Sequence, residues 1–174
     1  MSAPRVLIQP ASTVTTAPAT GSTEGAWGAL GWFGALLALI GFGDIALTWY
    51  PVGLGAPEWE FATVSASLSG LPLPTMGLAM VLAAALAGGR RRVVLALVLA
   101  LAALTMLVLG ALGLFLTDVP IALRATTAAA ARIGIEKVII KTVMLGVGFS
   151  AAYVLGAATA IRYLQMVRGE RNRA

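Results

Sequence analysis

The chain has 174 residues, 59% of them hydrophobic, with a mean hydropathy of +0.93 and a net charge of +5. Soluble domains hold about 45–50% apolar residues, so the excess marks lipid as the solvent and leaves little chain for a separate soluble domain. There is no Cys and no His, which excludes disulfides, thiolate catalysis, Fe–S clusters and Cys-based zinc sites and removes the commonest general base and metal ligand.

On these grounds we expect no enzymatic activity and no cofactor. The basic residues cluster at the ends of apolar runs, where topology signals and anionic lipid contacts put them, so no nucleic-acid partner is expected. The expected partners are the lipid bilayer and either a second copy of the chain or other membrane subunits.

Residues 1–26 are rich in Ser, Thr, Ala, Pro and Gly, with Arg5 and Glu24 as the only charges. Such a segment cannot bury enough apolar surface to fold and reads as a disordered tail. It lacks the apolar core of a signal peptide, so the first span is expected to stay uncleaved.

Span 1 runs from Trp27 to Tyr50. Trp27 and Trp32 stand at one end, Trp49 and Tyr50 at the other. Trp27 and Trp49 are ~33 Å apart along a helix, the separation of two interfacial aromatic belts. Asp44 is the one carboxylate inside this span. An acid at that depth is costly and marks either a function or a partner. Lys137 and Lys141 are its candidate ion-pair partners, and cation or proton handling is the other reading.

Pro57-Glu58-Trp59-Glu60 reads as a helix start, with proline at the first position and acids near the positive end. From Thr63 to Ser69 polar and apolar residues alternate, which is a strand period, and Pro72 and Pro74 follow. We therefore expect a proline-broken second span: a helical piece from Pro57, an unwound stretch near Gly70 to Pro74, and a helix to Ala87. Non-helical backbone at membrane depth lines a cavity or is buried in protein. Asp44, Glu58, Glu60, Ser65, Ser67, Ser69 and Thr75 are the candidate lining of such a polar cavity. The opposing reading puts the serines in an ordinary loop outside the bilayer.

Gly88-Gly89-Arg90-Arg91-Arg92 reads as a tight basic turn. Val93 to Leu116 follows, twenty-four residues without a charge, long enough at ~36 Å to cross a ~30 Å hydrocarbon layer. Thr117 to Pro120 is expected to end this third span. The fourth is apolar from Thr142 to Ile161, with a charged leading segment and a basic tail. Gly148, Ala152, Gly156 and Ala160 put a small residue on one face at every fourth position, a surface for close helix packing inside the bundle or between subunits. Ala79, Ala83 and Ala87 repeat the spacing in the second span.

Leu47 to Leu54 resembles Leu116 to Leu123 at an offset of 69, and Gly41 and Gly77 meet Gly110 and Gly146 at the same offset. A parallel repeat of two hairpins accounts for this; so does chance in a chain rich in Leu, Ala and Gly.

With both termini cytoplasmic, Arg5, Arg90, Arg91, Arg92, Arg162, Arg168, Arg171 and Arg173 lie inside, against Arg124, Arg132, Lys137 and Lys141 outside, which satisfies the positive-inside rule. The sequence thus predicts an all-α protein: a tail over 1–26, a four-helix transmembrane bundle over 27–163 and a basic tail over 164–174. The expected location is a cell membrane, specifically a bacterial inner membrane. The expected role is packing or scaffolding, as an accessory subunit or homo-oligomer. The alternative is a small transporter or ion-conducting protein using the cavity near Asp44.

Overall fold

The computed structural model describes residues 20–171 except 51, 54, 127 and 128. Most of the expected N-terminal tail and the last three residues lie outside the described residues. Among the described residues five helices follow one another: α1 Thr20–Thr48, α2 Pro57–Gly70, α3 Pro72–Ala87, α4 Arg91–Ala125 and α5 Ala129–Arg171. No strand occurs among the described residues. Four helical stretches are long and apolar enough to cross a membrane: Gly25–Thr48, Glu58–Ala87, Arg91–Arg124 and Ala131–Gly169. The second is α2 and α3 together.

The unwound stretch expected near Gly70 to Pro74 is absent. Leu71 alone separates α2 from α3, and its backbone is right-handed helical, with φ −59° and ψ −26°. The physical reason is position. Pro72 and Pro74 occupy the first turn of α3, where N–H groups have no helical acceptor, so two prolines cost no hydrogen bond there. Thr75 N–H restarts the ladder on Leu71 C=O at 3.0 Å. The alternation from Thr63 to Ser69 is likewise helical, and what mattered was the spacing of Glu60, Thr63 and Ser67, three and four residues apart on one face. All three are buried.

Pro120 does not end α4, which continues to Ala125. The proline is exposed, and α4 is held along its length by α5, so tertiary packing overrides a local helix breaker. The basic segment after residue 163 is also helical, as the end of α5.

The helices form two tight antiparallel pairs with α2 between them. In the first, Gly31 of α1 faces Ala84 of α3, Gly34 faces Val81 and Gly41 faces Pro74. The same pairing continues into α2, where Ile45 meets Gly70 and Thr48 meets Ser67. Each step up α1 is matched by an equal step down the second span, so α2 and α3 meet α1 as one rod. In the second pair, Val94, Leu101, Val108 and Phe115 recur every seven residues on α4, all buried. This is the spacing that keeps a seam facing an antiparallel or parallel neighbour. Opposite them α5 buries Thr142, Gly146, Ser150, Tyr153 and Ala160. The α2 span joins the pairs through Phe61, stacked on Phe115 with ring centroids 4.7 Å apart. Among the described residues the backbone of α1 does not come close to that of α4 or α5.

Candidate functional site

The buried polar side chains gather around α2 and bond outward to its neighbours. Trp49 Nε1 donates to Ser67 Oγ at 2.9 Å, and the Ser67 and Thr48 hydroxyls are 3.2 Å apart. Thr48 Oγ1 donates to Ile45 C=O at 2.7 Å, so the Ser67 proton goes to Thr48 and the chain of bonds is satisfied. Trp49 also meets Trp59 edge to face at 5.7 Å, closing the α1–α2 corner. On the other side Thr142 Oγ1 donates to Ser65 Oγ at 3.4 Å. Further along the span, the Thr75 and Tyr153 hydroxyls meet at 2.7 Å, tying α3 to α5. Interhelical bonds of this kind contribute about 0.6–2 kcal/mol each in membranes.

Near the Pro57 end of the second span Glu60 is buried and accepts from Gly55 N–H at 2.6 Å. The Asp118 carboxyl of α4 lies near it. Asp118 is 6% exposed, and its Oδ2 has no partner among the described residues; buried Ser150 Oγ is in the same condition. No Lys or Arg pairs with either acid; the ion pair among the described residues is Arg132–Glu136, 3.5 Å and exposed. No group of three metal-ligating acids, among the described residues, comes together.

The expected cavity residues are therefore dispersed. Glu60, Ser65, Ser67 and Thr75 bond to five different residues, none shared between any two of them. Asp44, Glu58 and Ser69 are exposed. Asp44 makes no hydrogen bond or ion pair among the described residues, and its expected pairing with Lys137 or Lys141 does not form. The reason is topological: those lysines are on α5, whose backbone does not come close to α1 among the described residues.

The small-residue stripe of α5 also divides. Ala160 is fully buried, and Gly156 faces Leu101, whose Cδ1 lies 3.3 Å from where a Cβ would stand. Gly148 and Ala152 face outward, and a Cβ on Gly148 would meet nothing within 4 Å. The stripe is not an internal seam along its whole length; that part is played by Gly34, Ala38, Gly41 and Gly77. Ala79, Ala83 and Ala87 are exposed.

Sequence reasoning missed Asp118, Thr142 and Tyr153. Asp118 was readable as the next position after Phe115 on the buried face of α4, three residues on. The polar end of an apolar run hid it.

Between α1 and α4 the bundle leaves two grooves. The one near Trp49 is apolar, about 350 Å³, walled by Phe42, Ala46, Leu107 and Ala111 and floored by Leu68 and Leu71. The other opens beside Arg90, with Gly28, Gly31 and Ala35 on one wall and Val93 on the other. No protein-family model, curated protein or solved structure matches the chain.

Proposed function

We propose that this is a non-enzymatic multi-pass membrane protein that associates laterally, with itself or with other membrane subunits, as a scaffold or accessory subunit. The observation that carries this reading is the open face of α5. Gly148 and Ala152 stand there with Met144 and Leu155, all exposed. The same chain shows what such residues do when paired, because Gly34 and Gly77 bring α1 and α3 into backbone contact. Small residues drive helix association in lipid by letting backbones approach closely. The excess of arginine at the α3–α4 turn and on the last turns of α5 supports cytoplasmic termini, and a bacterial inner membrane is the location we assign.

The test is the oligomeric state of the full chain in mild detergent, by light scattering and crosslinking. Gly148→Leu keeps lipid compatibility and blocks close approach. A shift from oligomer to monomer is expected. A monomeric wild type that also co-purifies with no membrane subunit would defeat the reading.

A second reading, transport of a proton or cation, is favoured by one observation: the buried Glu60–Asp118 pair with an unpartnered oxygen. Buried acids in membrane helices often serve ion or proton pathways. Proton or cation flux through proteoliposomes, abolished in Asp118→Asn, is the corresponding test.

A further inference from the structure

The two grooves between α1 and α4 differ in character. The one near Trp49 is lined by side chains without charge. The other adjoins a cavity of about 350 Å³ bordered by Trp27, Gly28, Ala84, Gly88 and Arg90. The local sequence fixes this mouth. Gly89 takes φ +61°, Gly89 N–H bonds Leu86 C=O at 3.3 Å, and Arg90 N–H bonds Ala85 C=O at 3.0 Å. That pair of bonds is the glycine-dependent helix stop in which the chain reverses tightly. It sets Arg90 directly over the end of α3, as the residue that opens α4.

No acid compensates the charge there among the described residues. Arg90, Arg91 and Arg92 are exposed, α4 has no acid in its first turn, and none of the three arginines has an ion-pair partner among the described residues. The positive end of the α4 dipole adds to the field. Immediately beyond this mouth the walls are Gly31, Ala35, Ala84 and Val93. From Gly28 to Leu37 of α1 is ~14 Å, close to the ~15 Å depth of one leaflet's hydrocarbon.

We propose that the groove beside Arg90 is a binding site for one anionic phospholipid, its phosphate on Arg90 and its neighbours and an acyl chain along Gly31, Ala35, Ala84 and Val93. Charge complementarity selects this occupant. A partner helix entering here would cover three guanidinium groups that have no ion-pair partner among the described residues, whereas a phosphate diester brings a negative charge to them together with its own apolar chain. This face is separate from the open stripe of α5, so the proposal stands without lateral association.

The test is native mass spectrometry of the full chain in detergent, titrated with phosphatidylglycerol and with phosphatidylcholine of the same acyl chains. One retained phosphatidylglycerol, preferred over phosphatidylcholine, is expected. Arg90→Gln, at an exposed position, should weaken phosphatidylglycerol binding about fivefold and leave phosphatidylcholine binding unchanged. Ala35→Phe fills the groove wall and should weaken the same lipid by a similar or larger factor, with all three arginines present. Equal retention of the two lipids would overturn the proposal. So would a phosphatidylglycerol preference that survives Ala35→Phe, which locates the contact at the surface alone. A dimer in place of a lipid adduct, lost in Ala35→Phe, would assign the groove to a second copy and overturn it as well.

Discussion

The two helix pairs hold together by opposite means. Between α1 and α3 the backbones themselves touch: a Cβ on Gly77 would lie 2.4 Å from Gly34 C=O and 2.5 Å from Ala38 N. Between α4 and α5 the contact is made by large side chains, with Phe115 and Tyr153 at or near full burial. In water both would be driven by removing apolar surface from solvent. In lipid that drive is missing, since the tails are as apolar as leucine, and what remains is close van der Waals contact and interhelical hydrogen bonding. Glycine supplies the first by allowing closeness along a line. Leucine, valine and phenylalanine supply it by interdigitation. A chain with 20 glycines uses both, and in the α4–α5 pair Leu101 and Leu112 pack over Gly156 and Gly146.

The comparison breaks most sharply at Gly77. Gly77→Ala adds one methyl group against backbone that cannot rotate away, so the helices must part. We expect a loss of about 3 kcal/mol or more, read as the midpoint of unfolding in a graded detergent titration. An alanine variant as stable as wild type would mean that the α1–α3 seam is looser than described. Phe115→Ala in the other half removes side-chain contacts without forcing a movement. The expected loss is about 2 kcal/mol, below the about 3–5 kcal/mol of soluble cores, because the unfolded state keeps the ring in an apolar medium. If Phe115→Ala proved costlier than Gly77→Ala, interdigitation rather than close approach would dominate in this bundle.

Tyr153→Phe sharpens the contrast further. It leaves the packing of α5 in place and deletes the hydroxyl that meets Thr75, so a loss of about 0.6–1.7 kcal/mol is expected. Thr75→Val alone should match it, and the double variant should cost no more than either one. Additive losses would show that the two hydroxyls do not bond. Gly148→Leu is the smallest effect: with no atom within reach of its Cβ, the monomer's unfolding midpoint should stay within about 0.5 kcal/mol of wild type. A larger drop, measured on the isolated monomer, would place another helix over that face.

Much of the fold was legible in the sequence. The long uncharged run from Val93 to Leu116, the tryptophans at both ends of the first span, and the glycine pair before three arginines each carry a direct physical meaning. The prolines were less legible. Pro72 and Pro74 read as a break because a proline inside a helix removes a bond, yet at the first turn there is no bond to remove. Pro120 lies truly inside a helix and is tolerated in an α4 that packs against α5. No local pattern reports that. The site was harder still. Ser67 and Thr75 were recognisable as polar residues at membrane depth, but their partners are 18 and 78 residues away. Whether a serine lines a water path or bonds to another helix depends on which helices are neighbours. Asp44 misled for the same reason: an acid in an apolar helix draws attention, while its side of the helix is set by the glycines that face α3.

The length of α5 has a mechanical consequence. Its 43 residues span ~64 Å, about twice the hydrocarbon thickness. Within it, Lys141 and Arg162 bracket an uncharged stretch ~31 Å long. Neither charge slides cheaply into the acyl region, although each side chain can stretch a little toward the headgroups. The uncharged stretch of the helix is therefore matched in length to the hydrocarbon layer. A thinner membrane tilts it, a thicker one must compress around it, and through α4 that strain reaches the rest of the bundle.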